Sequence, residues 1–455
     1  MKVHMEERKI TLTEIMNGPW KERAIATCEE RGIVSLADGL KPVHRFLLYQ
    51  GRKMCRGKWD KVAAVGSSVA AAGYEHGEAS ACGALTGLGA YFSNNLQLFL
   101  GKGSFGNVLN STPAAPRYIF CTLNPNIDLL FKDADLAPEH PDPECLPPRH
   151  YLPIIPMCLV NGSTGLATGY ASRIPPHDPA SIIDWCISRC RGRKPKPIKP
   201  KYYGFTGEVE RKSDHYLLRG TVQKVSEVHY RVTELPHGFW SSASYEQHLR
   251  KLSEKGTISR YDNGSVDDRF VYDIWLKPGC RWTQEDLVKH LKLESKDTWN
   301  LTVVSPSGRL KAYPKETGIE EMLEDFYAFR LPYYGQRIEN EIRRVEADIL
   351  YRKAWIAFCE DVIAKKFGFK ITDEEFENTL KKKYKMPETG IPKTMNAPVR
   401  SFTVKAMEKS KQELQAAEER LEHLKQTTPE QEWISDLEEL KKSVKAGFGA
   451  KKQGE

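Results

Sequence analysis

The chain has 455 residues, 40% of them hydrophobic and 28% charged, with a formal net charge of +8. That length allows two or three domains with cores of their own, and that balance excludes a disordered or membrane-embedded chain. No apolar run approaches the roughly 18 residues of a membrane span, and the first nine residues lack the apolar centre of a signal peptide.

In chain order, residues 9–30 read as a starting helix or arm. Lys41, Arg45, Arg52, Lys53, Arg56, Lys58 and Lys61 then crowd one early region, a distribution that suits a polyanionic partner. Residues 34–100 mix short helices with small residues (63–73 and 79–90), as close-packed helix-turn-helix or winged-helix units do. Gly101, Gly103 and Gly106 predict a loop, followed by a strand over 117–123. Residues 151–176 are apolar and bounded by proline. The tract Arg191-Gly-Arg-Lys-Pro-Lys-Pro-Ile-Lys-Pro-Lys201 reads as a stiff linker into an α+β segment that reaches about residue 315. Beyond it, Ile338, Ile342, Val345, Ile349 and Ile356, and then Met407, Leu414, Ala417, Leu421 and Leu424, recur at helical steps. Two long helices around residues 368–403 fit either an antiparallel coiled coil with a small tip or an ordinary bundle. The ten cysteines are scattered and none makes a zinc-site pattern. They read as free thiols, which places the chain in the cytoplasm.

Arg117-Tyr118 carries the chemistry. A tyrosine hydroxyl can attack a phosphodiester and hold the cut end as a phosphotyrosine, and an adjacent arginine can spread the charge that builds on phosphorus. Its setting raises it above a chance dipeptide. Asp38-Gly-Leu-Lys-Pro-Val-His-Arg45, Tyr74-Glu-His-Gly-Glu78 and Gly103-Ser-Phe-Gly106 precede it in that order. Tyr151-Leu-Pro-Ile-Ile-Pro156, Asn161–Gly169, Thr233-Glu-Leu-Pro236, Arg330–Arg337 and Thr428–Trp433 follow it. Together these strings resemble the breakage-reunion region of type IIA DNA topoisomerases over nearly the whole chain. The layout is similar to the cleavage (medium) subunit of T-even-like phage members.

The resemblance implies an α+β multidomain fold. It comprises an N-terminal arm (1–30), a winged-helix (CAP-like) domain with the nucleophile (31–158) and an α/β tower domain (159–315). An antiparallel coiled coil (316–367 and 404–455) then carries a helical dimerisation tip (368–403). It implies that Tyr118 forms a 5′-phosphotyrosyl link with Arg117, Arg31 and His76 at the scissile phosphate. Lys41, His44 and Arg45 would position the duplex, and Ile174 would enter the base stack as a wedge. The implied partners are double-stranded DNA, a second copy of the chain and an ATPase/Toprim subunit. That third partner would bring Mg²⁺ and ATP, and no metal site is expected on this chain.

Asp133-Ala-Asp135 imitates a Toprim metal motif but lacks the preceding glutamate, and is read as a surface acidic loop. Gly162–Gly169 lacks the lysine of a phosphate-binding loop. Glu75 and Leu100 depart from many relatives without removing a catalytic group. Two rivals are a non-catalytic architectural DNA-binding protein of the same fold and a tyrosine recombinase. The former has no need of Arg117-Tyr118, and the latter needs a dispersed Arg/His/Arg set that cannot be assembled here.

Overall fold

The structure, a computed structural model, describes residues 10–266, 268–368 and 370–449. The chain divides into two compact units, one running to Arg330 and resuming at Ile434, the other spanning Leu331–Trp433.

The first unit opens with helices α1 (Leu12–Asn17) and α2 (Pro19–Thr27). Thr11 and Glu14 cap the first reciprocally, as Thr-x-x-Glu does. A π-turn over Cys28–Gly32 follows. Next come α3 (Pro42–Met54), β1 (Asp60–Lys61), α4 (Val62–Ser67) and α5 (Glu78–Gly89). Strands β2 (Phe99–Lys102) and β3 (Phe120–Leu123) complete a three-stranded antiparallel sheet in the order β1-β3-β2. The expected strand over 117–123 therefore begins at Phe120, and residues 116–118 form a turn.

Two short helices, α6 (Ile127–Leu130) and α7 (Met157–Val160), lead to a hairpin of β4 (Ser163–Ala167) and β5 (Tyr170–Ile174), then to α8 (Pro179–Cys190). A sheet of β6 (Glu208–Arg211), β7 (His215–Arg219) and β12 (Glu294–Thr298) has the order β12-β7-β6. A second sheet joins β8 (Thr221–Lys224), β9 (His229–Glu234), β10 (Ile258–Asn263) and β11 (Tyr272–Leu276) in the order β10-β11-β9-β8. The inward residues Tyr230, Val232, Tyr272 and Ile274 alternate along its strands. They meet Tyr245 and Leu249 of α9 (Ser242–Glu254) and Leu287 of α10 (Gln284–His290) in one core. A last hairpin pairs β13 (Thr302–Val304) with β14 (Leu310–Ala312).

Asp133 is not on a surface loop. It is 3% exposed and ion-pairs with the fully buried Arg330, whose Nε–H also donates to the Pro153 carbonyl at 3.0 Å. The neighbouring Lys132 reaches Asp436 at 2.7 Å and Glu439 at 2.5 Å.

Helix α11 (Gly318–Ile363) leaves the first unit and continues through the second. Within the second unit α12 (Asp373–Lys382) and α13 (Ile391–Met395) precede α14 (Val404–Gln426). Ion pairs Glu360–Lys411 (2.8 Å), Lys353–Glu418 (2.7 Å) and Glu346–Lys425 (3.4 Å) run in opposite chain directions, so α11 and α14 are antiparallel. Phe358, Leu380, Tyr384 and Ile391 form a small core at the end of the pair. The last helix, α15 (Pro429–Lys445), returns to the first unit.

Candidate DNA-cleavage site

Arg117 and Tyr118 stand on the turn that enters β3. Two carbonyls flanking the pair hold its backbone, because Ala63 N–H donates to Pro116 O (3.2 Å) and Val62 N–H to Ile119 O (3.1 Å). These donors are first-turn groups of α4, which have no acceptor inside their own helix. Tyr118 N–H closes the turn on Ala115 O at 2.9 Å. Ile119 is buried while Tyr118 is 65% exposed, so the pair projects outward from a fixed base. The Arg117 guanidinium lies 4.6 Å from the centre of the Tyr118 ring, a cation–π contact that keeps the cation beside the hydroxyl-bearing ring. The preceding loop takes left-handed backbone at Gly103 and Gly106 (φ +101° and +85°). Phe105 packs into the space left by Gly101, where a Cβ would stand 2.6 Å from the ring.

Arg31, Lys41, His44 and His76 are brought together around a hollow of 360 Å³, with Tyr74, Ser80 and Leu166 also on its wall. Arg31 is exposed on the π-turn, a backbone form that recurs at functional sites. The turn and hairpin β4–β5 touch backbone to backbone. A Cβ on Gly165 would lie 2.4 Å from Gly32 O, and one on Gly32 would lie 2.7 Å from Ala167 Cβ. Lys41 Nζ donates to Thr164 O at 3.0 Å, tying the start of α3 to the same hairpin, and partial burial pulls its pKa down. His44 Nδ1 accepts the Lys41 N–H at 3.3 Å. Desolvation, aided by the neighbouring charges of Lys41 and Arg45, lowers its pKa to about 3. His44 is therefore neutral at pH 7 and carries its proton on Nε2. His76 is exposed, with its ring packed edge-on to Tyr74 at 5.3 Å.

Arg117 lines a different hollow, with Ala79, Gly83 and Thr86 of α5. Ser80 and Ala84 of the same helix line the first. Within one chain the two groups thus border different faces of α5, and Arg31 and His76 do not line the hollow that Arg117 does.

Two of the residues expected to touch DNA are placed otherwise. Arg45 turns inward: its Nε and Nη2 grip the fully buried Asp38 at 2.7 and 3.0 Å, and Nη2 also meets Leu40 O at 3.3 Å. These three bonds tie Nε and Nη2 to the fold, which makes it a positioning residue for α3. Ile174 is only 2% exposed, paired with Ser163 inside the hairpin, and cannot enter a base stack as it stands. Leu166, on the facing strand, is 81% exposed and is the most exposed large apolar side chain of the hairpin, ahead of Tyr170 at 40%. A single leucine among small residues in Gly165-Leu-Ala-Thr-Gly169 was the available signal.

Among the described residues no three carboxylate, imidazole or thiol groups converge as a metal site. No helix among them is long and apolar enough to cross a membrane.

The DNA gyrase/topoisomerase IV A-subunit family matches residues 31–438. The DNA topoisomerase medium subunit of Enterobacteria phage T4 is 31% identical over 92% of this chain and 96% of its own length. The mitochondrial DNA topoisomerase 2 of Dictyostelium discoideum is 29% identical over 90% of this chain, which spans only 33% of that longer protein. Among solved structures, the DNA-binding, cleavage and re-ligation domain of Plasmodium falciparum topoisomerase II superposes with a TM-score of 0.80 at 25% identity. That match covers 95% of this chain and 65% of the other. The chain belongs to the type II DNA topoisomerases, in the gyrase/topoisomerase IV A-subunit family.

Proposed function

We propose that this chain is the cleavage and religation subunit of an ATP-dependent type II topoisomerase, with Tyr118 as the nucleophile. The observation that carries the reading is the exposed Tyr118 on a rigid turn with the Arg117 guanidinium against its ring. Tyr118 Oη gives up its proton and attacks phosphorus, the bond from phosphorus to the 3′-oxygen breaks, and the departing 3′-oxygen takes up a proton to leave as a hydroxyl. The 5′-phosphotyrosyl link keeps the phosphodiester energy, so the reverse attack reseals the strand without an outside energy source. Arg117, Arg31 and Lys41 offset phosphate charge, while the neutral imidazole of His44 and the exposed ring of His76 offer N–H donors. Leu166 replaces Ile174 as the wedge.

In this reading residues 31–158 act as the winged-helix domain and 159–315 as the tower, while the antiparallel helices act as a coiled coil with a dimerisation tip. A homodimer supplies two tyrosines for a double-strand break. Because Arg117 and the Arg31–His76 cluster border separate hollows, a second copy is the natural source for completing each site. Mg²⁺ and ATP come with an ATPase/Toprim partner, and the complex works in the cytoplasm. A non-catalytic DNA-binding protein would have no use for the Arg117-Tyr118 turn.

The test is reconstitution with that partner, followed by a denaturant trap for protein-linked DNA. Tyr118→Phe should abolish the adduct and leave duplex binding intact. An adduct formed by the phenylalanine variant would show that the nucleophile lies elsewhere.

A further inference from the structure

Between α8 and β6 the basic tract 191–201 follows the protein surface without helix or strand, apart from one isolated bridge at Pro200. Pro195, Pro197 and Pro200 favour an extended backbone. Both ends are fastened. Arg193 N–H donates to Ser188 O (2.9 Å) near the end of α8. Lys199 N–H donates to Ser181 Oγ (3.0 Å) and its carbonyl accepts from Asp178 N–H (2.8 Å), at the start of the same helix. Ile198, 4% exposed, pins the stretch between them. The tract is therefore a strap laid back along α8.

Its outer cations are neutralised, Arg191 by Glu438 and Lys201 by Asp178. Arg193, Lys194, Lys196 and Lys199 are exposed and have no carboxylate partner among the described residues. Neighbouring bases do find partners, as in Arg189–Glu324 and Lys441–Asp184. None of these four residues lines the hollow that holds Arg31, Lys41 and His76.

We propose that this strap is a further duplex-DNA contact, gripping backbone phosphates outside the cleavage hollow. The inference rests on the functional reading above. An extended chain advances about 3.1 Å per residue, so Arg193 to Lys199 covers roughly 19 Å. One DNA strand carries a phosphate for about every 3.4 Å of helix axis, so the strap spans enough duplex for its four cations to reach several phosphates. The strap is already ordered, and binding pays little to fix it.

The test uses the full chain and a variant with Arg193→Gln, Lys194→Gln, Lys196→Gln and Lys199→Gln combined. Affinity for a long duplex, and for a short one that covers only the cleavage site, is measured by fluorescence anisotropy over a salt series. On the long duplex the slope of log K against log salt should shrink by about 0.9 for each lost phosphate contact, up to about 3.6 in all. The short duplex should bind as before, and the Tyr118 adduct on it, formed with the partner subunit, should be unchanged. Equal slopes on the long duplex would overturn the strap. So would a variant that loses only its partner subunit, which would make the strap a dock for an acidic protein surface. Failure of the unmodified chain to bind duplex at all would overturn the functional reading and the strap with it.

Discussion

Replacing Asp38 by alanine removes the acceptor on which the start of α3 is built. The carboxylate, fully buried, takes two N–H groups of Arg45, the Leu40 N–H at 3.1 Å and the Tyr151 N–H at 3.1 Å. Without it the guanidinium, 13% exposed, is left buried and unpaired, and two backbone donors lose their partner. Breaking a buried pair from one side costs about 3–5 kcal/mol, and the orphaned N–H groups hold the figure at the upper end. Arg45→Ala leaves the carboxylate its two backbone donors, so its cost belongs at the lower end. The double replacement should cost clearly less than the sum, because the pair is lost only once. Urea unfolding followed by circular dichroism gives the three values, with hydrogen exchange at Leu40 and Tyr151 reporting the local opening. The reasoning is refuted if Arg45→Ala keeps full stability but loses duplex affinity, since the guanidinium would then serve phosphate rather than Asp38.

Leu166→Ala should change stability by less than about 0.5 kcal/mol while lowering DNA bending, read by energy transfer across a labelled duplex. Ile174→Ala should instead cost about 2–5 kcal/mol as a core cavity, and the opposite pattern would restore Ile174 as the wedge. Gly165→Val drives side-chain carbon into Gly32 O, so it should part the π-turn from the hairpin and reduce adduct yield far more than duplex binding. His177 is buried between Leu159 O (3.1 Å) and the Tyr216 hydroxyl (3.0 Å), and desolvation lowers its pKa to about 4. The unfolded chain therefore binds the proton first, and stability falls as pH drops from about 6.5 towards 4. His177→Asn should flatten that acid limb in a pH series of urea midpoints, and an unchanged limb would assign it to other groups.

Local strings carried most of what could be read in advance. Gly39 and Pro42 announce the turn before α3, and a Cβ on Gly39 would meet Cys158 N at 2.3 Å. The Arg117-Tyr118 loop was legible for the same reason, since glycines with left-handed backbone mark it. What failed depended on partners remote in sequence or on strand parity. Nothing near Arg45 reveals that Asp38 is sealed by an N–H contributed 113 residues away. Leu166 and Ile174 sit on facing strands of one hairpin, and a single step of register decides which points to solvent. With few apolar residues on either strand, the pattern alone does not fix that choice. The start of β3 was misplaced because Arg117 and Tyr118 suit a strand by composition, while the carbonyls at 116 and 119 are already taken by α4.

Lys132 and Asp133 are adjacent, yet they hold different helices: Asp133 takes Arg330 where α11 departs, and Lys132 takes Asp436 and Glu439 where α15 comes back. Those two helices are the only covalent routes into and out of the segment between Leu331 and Trp433. Both routes are therefore anchored on one dipeptide. From there only eight residues of chain separate it from Leu123, the end of the strand that Tyr118 introduces. The exposed turn of Tyr118 and the anchor of both stems lie on one short stretch of chain.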